Sequence, residues 1–230
     1  AEGAVILTGK TGVANAGDIS GTQVKIRSIE AGVENSGVIA GINDIQVSGK
    51  RIDNTGTLYS EGQIAVTVRE ELNNQGMMKA NDLSMTGDVV NNNGSITAKA
   101  LVKVNSTWYV SNKDVIQAEV FQLTSDQVDM NQSFLMMNQA MLEAGKITIK
   151  DSEINSHDLK MDAKTIELNE TALFQKNLAI KSEQLGLDAS WVDAVSGSID
   201  SSEIKSQKTI YNGGSLLINT EESNFEEDVF

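Results

Sequence analysis

The chain has 230 residues, with no cysteine, no proline, only 4% aromatic residues and a net charge of −14 at a pI near 4.4. These values exclude a disulfide framework and a cysteine-based metal site, and they give a nucleic-acid role no electrostatic support. No apolar run approaches the roughly 18 residues of a membrane span, and no signal peptide precedes the first repeat, so the chain reads as a piece of something longer with no transmembrane segment.

From its first full repeat the chain advances in steps of about 19 residues. Asparagine stands at Asn15, Asn35, Asn54, Asn74, Asn92, Asn112, Asn131 and Asn169, and Lys150 and Asp188 fill the two remaining steps. Four residues later comes an aliphatic side chain each time: Ile19, Ile39, Leu58, Met78, Ile96, Ile116, Leu135, Ile154, Leu173 and Val192. A column this regular is an internal repeat, and a repeat decides the fold before local propensity does. Mid-repeat lies an i, i+2 pair such as Val24 and Ile26, Ile64 and Val66, or Leu159 and Met161, and a third patch precedes the next asparagine. Such spacing places both side chains on one face of a strand, and helical spacing fails across the pairs.

Three short strands per repeat, each equivalent to the strand one repeat on, stack in parallel. The expected fold is therefore all-β, a parallel β-helix of about 19–20 residues and three strands per turn. Stacked asparagines should hydrogen-bond along the turn in a backbone that visits the left-handed region.

The repeat changes character partway. Up to Gly94 the turn reads Asn-x-Gly; afterwards Asp114, Ser133, Ser152, Thr171 and Ser190 replace the glycine. The third patch becomes a pair at the same time, as in Val128 and Met130 or Ile147 and Ile149. Three segments follow: 1–110 with Asn-x-Gly turns, 111–219 as a divergent subtype of the same solenoid and a candidate receptor-binding region, and an acidic end, 220–230, expected to fray.

Isolated signals read plainly against this frame. Gly9-Lys10-Thr11 lacks the spacing and the following helix of a phosphate loop, so it is a turn. His157, the single histidine, is a surface-turn residue without cysteine co-ligands. No metal, cofactor or catalytic residue is expected. Asn105, Asn131 and Asn169 each begin an N-glycosylation pattern, but Asn131 and Asn169 are read as ladder residues committed to turns. Trp108, Tyr109, Phe134 and Trp191 are the candidate partner contacts. Trp191 precedes inward Val192 and so points out, and Phe134 and Val115 hold equivalent places, giving an apolar stripe. The simpler alternative is that a loop or the C-terminal tail covers it.

Repeats such as Asn54-Thr55-Gly56-Thr57-Leu58 and Asn92-Asn93-Gly94-Ser95-Ile96-Thr97-Ala98 resemble the haemagglutinin repeats of bacterial two-partner secretion exoproteins, the filamentous haemagglutinin and CdiA type. The resemblance is best over about residues 13–110. It implies a right-handed parallel β-helical shaft, passed through an outer-membrane transporter during export and displayed on the bacterial surface. It also implies an adhesive region or a toxin delivered in contact-dependent growth inhibition, with an outer-membrane protein or glycan as target-cell receptor. The expected function is thus a non-catalytic segment of a secreted, cell-surface filament. The alternatives are a polysaccharide-cleaving β-helix enzyme, using clustered carboxylates, and a pure spacer.

Overall fold

The computed structural model describes residues 3–230. Among them there is no helix, and fifteen strands join in one parallel sheet wound into about twelve stacked coils, an all-β solenoid. At about 4.8 Å per coil the rod is on the order of 55–60 Å long. The pairing is coil on coil: Ile116 lies on Leu135, Leu135 on Ile154, Ile154 on Leu173, Leu173 on Val192 and Val192 on Tyr211.

The three expected strands per coil are three faces of one long run. In later coils a single strand spans the whole coil, as in Val115–Asn131 and Phe134–Lys150. Pairing skips only where the chain bends: at Glu119 over Asn138, the first corner, and at Asp126 over Gly145, the second. Alternation on each face sends the same positions inward. In one coil Leu135, Ala140, Leu142, Ile147 and Ile149 are all buried, and each large aliphatic contributes about 1.5–3 kcal/mol by leaving water. Volumes compensate along a column: Phe121, fully buried, lies over Ala140.

The turn closing each coil exists in two forms. In the first, the asparagines are buried and linked: Asn15 Nδ2 donates to Asn35 Oδ1 at 2.8 Å, Asn35 to Asn54 at 2.7 Å, Asn54 to Asn74 at 2.7 Å, Asn74 to Asn92 at 2.7 Å and Asn92 to Asn112 at 2.6 Å. The left-handed backbone expected here is absent. No asparagine has a positive φ, and among the described glycines only Gly12 has one. The glycine is required by close approach instead: a Cβ at Gly37, Gly56, Gly76 or Gly94 would stand 2.0–2.2 Å from the carbonyl oxygen of the glycine one coil before.

The second form corrects the asparagine column. Asn112 pairs with Met130, not Asn131, and the column continues as Ile149, Leu168 and Leu187. An aliphatic thus replaces the buried amide, which explains why the third patch becomes a pair. The turn gains one residue, and that residue takes a left-handed conformation: Gln132 (φ 54), Asp151 (48), Glu170 (49), Ala189 (46) and Lys208 (53). The buried polar position passes to Ser133, Ser152, Thr171, Ser190 and Thr209. Their hydroxyls satisfy turn amides, as when Ser133 N donates to Ser152 Oγ at 3.0 Å. Asn112 Nδ2 donates to Ser133 Oγ at 2.9 Å, joining the two systems. Asn131 is exposed and Asn169 half-exposed, so neither belongs to the ladder as expected from sequence.

The acidic end also departs from expectation. Instead of fraying, the chain stays in strand to Glu226, in register with the coil before it. Beyond it Val229 bridges to Ile210, Asp228 Oδ1 accepts from Thr209 N at 2.7 Å, and the Phe230 ring stacks on Tyr211 with centroids 4.6 Å apart.

Candidate interaction surfaces

Because inward positions are filled by the core, any chemistry belongs to the outward columns and the corners. A concavity of about 850 Å³ runs along the axis at the first corner. One wall is the outward column Gln117, Met136, Asn155, Phe174 and Asp193; the other carries Glu119, Asn138, His157 and Lys176. Its floor is low because the inward residues there include Ala118 and Ser156, and Ser156 is tied to the buried amide of Gln175.

The carboxylates of this groove and its rim are engaged with neighbouring side chains. Glu119 accepts from Asn138 Nδ2 at 2.9 Å, and Asp193 from Asn212 Nδ2 at 3.2 Å. Asp158, on the rim, accepts from Asn177 Nδ2 at 2.6 Å and lies 3.1 Å from His157 Nδ1. The Asn177 bond, then His157, hold the Asp158 carboxyl below the usual aspartate range. A carboxylate stabilised in its charged form is a poor proton donor. His157 itself stands exposed at the corner, and no group of three potential metal ligands occurs among the described residues. Gly9-Lys10-Thr11 is a tight turn: a Cβ at Gly9 would meet Gly12 O at 2.0 Å, and Lys10 pairs with Glu30 at 3.8 Å.

The four aromatic candidates do not form one patch. Phe134 and Trp191 share the outward column beside the turn, three coils or about 14 Å apart, with Glu153 and Ala172 between them. The expected stripe is therefore interrupted. Trp191 points outward, and the C-terminal tail closes on Tyr211 and leaves Trp191 exposed. Trp108 and Tyr109 lie elsewhere, at the second corner and the start of the third face. There one extra residue bulges out, since Asn105 pairs with Thr124 and Tyr109 with Gln127. Ser106 braces the bulge, donating to Asp88 O at 2.6 Å while accepting from Tyr109 N at 3.1 Å. Trp108 is left 62% exposed. Tyr109 is half-buried, and burial, reinforced by Asp129, pushes its phenol up to about 12.

Comparison with protein-family models, with curated proteins and with solved structures finds no match to this chain.

Reading by repeat did not single out Met136, Phe174 or the cationic residues of the first coils. The aligned columns hold part of that signal: two outward columns of the second face, those of Lys25 and Arg27, lack carboxylates in the early coils although the chain is acidic, while Asp44 and Asp82 stand in the column beside them.

Proposed function

We propose that the chain is a non-catalytic segment of a secreted, cell-surface filamentous exoprotein of the filamentous haemagglutinin or CdiA type, forming shaft and presenting a contact to a target cell. The observation that carries this reading is the continuous coil-on-coil stacking from Ala4 to Glu226, in which no loop among the described residues is large enough to build a catalytic cleft. A rod made this way gains reach by adding coils, each stabilised by its neighbours alone. Carboxylates committed to neighbouring amides, as in the first-corner groove, also favour a non-catalytic role.

Of the four aromatic residues, Trp108 and Tyr109 make the better contact, because a braced bulge presents them together and rigid Trp and Tyr anchors dominate interfaces. The shaft is tested by deletion in the exported protein. Removing one whole coil, Ser133–Asp151, should preserve surface display and protease resistance, whereas removing Ser133–Leu142 should abolish both. Equal outcomes for the two deletions, or turnover of an acidic polysaccharide by the purified chain, would overturn the reading. The contact is tested separately: Trp108→Ser should weaken binding to intact target cells by about tenfold or more, and Trp191→Ser should change it little.

A further inference from the structure

The negative charge of the chain is unevenly placed. Residues 1–110 hold nine Lys and Arg against eleven Asp and Glu, and residues 111–230 hold nine against twenty-one. Within the nearly balanced half, two adjacent outward columns of the second face run six coils without a carboxylate, from Lys25 to Gln122 and from Arg27 to Thr124. Glu143 ends the run in the next coil.

At the head of these columns lies a groove of about 530 Å³ whose lining includes Lys25, Arg27, Ser28, Gln46, Thr67 and Arg69, and no acidic residue. Of the acids nearest in sequence, Glu30 pairs with Lys10 and Glu70 with Lys50 at 3.1 Å, while Asp44 flanks the groove and accepts from Gln46 Nε2 at 3.4 Å. Lys25, Arg27 and Arg69 enter no ion pair among the described residues, unlike Arg51, which holds Asp53 and Glu71. Arg69 lies across two coils with Nη2 on Ile29 O at 2.5 Å, so its guanidinium is held in place while other donors remain open. Beneath them Ser28 is buried, and its hydroxyl has no partner among the described residues. A buried hydroxyl without a partner costs stability, and a guanidinium held in place without a carboxylate, as at Arg69, suits a planar anion.

We propose that this groove and the carboxylate-free columns below it bind an acidic glycan, a polymer carrying sulfate or carboxylate groups, laid along the rod axis. The columns span about 24 Å, and Lys103 lies four coils below Lys25 to hold a second anionic group. Hydroxyl and amide side chains such as Ser48, Thr67 and Gln46 fill the space between cations and suit a hydroxylated polymer. No aromatic side chain lines the groove to stack a base, as single-stranded nucleic acid would require. The strongly acidic second half repels a polyanion and confines it to the first coils. This inference stands independently of export and of the shaft.

The test measures binding of the purified chain to dextran sulfate and to polygalacturonate, with uncharged dextran, a single-stranded DNA oligomer and poly-glutamate for comparison. Binding to at least one acidic glycan at low salt is expected, with none to dextran. The triple variant Lys25→Gln, Arg27→Gln, Arg69→Gln should lose about tenfold or more in affinity. Its slope of log affinity against log salt should shrink by about two, three fewer charges on a single-stranded polyanion. Which glycan binds separates sulfate from carboxylate recognition. A matched triple, Lys160→Gln, Lys164→Gln, Lys181→Gln, removes the same charge elsewhere. The proposal fails if both triples weaken binding equally, if neither does, or if dextran, DNA or poly-glutamate binds as tightly.

Discussion

A buried asparagine that donates to the coil on one side and accepts from the coil on the other cannot be shortened without leaving two neighbours unsatisfied. Asn54 is in this position, between Asn35 and Asn74. Asn54→Ala should cost about 2–4 kcal/mol, one to two for each orphaned partner, measured by denaturant melting. Asn131→Ala, outside the ladder, should stay within about 0.5 kcal/mol. Backbone strain separates the two turns in the same way. Ala189 occupies the left-handed region without the freedom of glycine, so Ala189→Gly should be neutral or stabilising by up to about 1 kcal/mol. Gly56→Ala drives a methyl into Gly37 O and should be strongly destabilising. The charge on these turns has its own pH signature. Glu170 is raised above the usual glutamate range by Asp151, through a shared hydrogen bond and then repulsion, with Asp188 adding a lesser push. A raised carboxyl contributes stability that is present below the ordinary glutamate pKa and lost as pH rises through its folded value. Glu170→Gln should therefore raise the melting temperature at pH 7, and the gain should vanish below about pH 4.

At the scale of a coil, the core is a stack of cross-sections whose volumes must agree with those next to them. Phe121 over Ala140 is the most unequal pairing. Ala140→Leu should cost about 1–3 kcal/mol through overpacking, and combining it with Phe121→Ala should recover part of that cost, a coupling read from a double-mutant cycle. The final coil depends on a phenol kept neutral. Burial, partly offset by the Ser206 hydrogen bond, pushes Tyr211 up to about 12, and its ring packs against Phe225 and Phe230. That contribution is present below pH 10 and lost as pH rises towards 12. Near-UV dichroism of the aromatic cluster should fall over that range while the inner coils persist. The faces were legible in sequence because i, i+2 alternation survives on every one of them. The turn was not. Asn112 to Asn131 and Ile116 to Leu135 are both steps of nineteen, so the residue inserted at the turn is masked by residues lost at the two corners before it. Only pairing shows that Met130 lies on Asn112. Outward Trp191 could be read from its neighbour Val192, but the cationic groove could not, since it depends on Arg69 reaching back forty positions to Ile29.

Over the whole rod, stability is a sum of neighbour interfaces, so unfolding should proceed from the ends. Amide hydrogen exchange should be slowest in the coils around Ile96 to Leu135 and fastest in those of the two ends. The uneven charge adds an asymmetry. At low ionic strength the second half carries most of the self-repulsion. Raising salt towards about 0.15 M, where the screening length is about 8 Å, should slow exchange in coils after Val115 more than in those before it. The junction at Asn112 and Ser133 also limits how such a protein can be rearranged. Amide-stitched coils fit amide-stitched coils and hydroxyl-stitched coils fit their own kind, while only this seam mates the two. Gene duplication by unequal crossing-over can lengthen either zone freely, but a unit transplanted across the seam would arrive with the wrong connector.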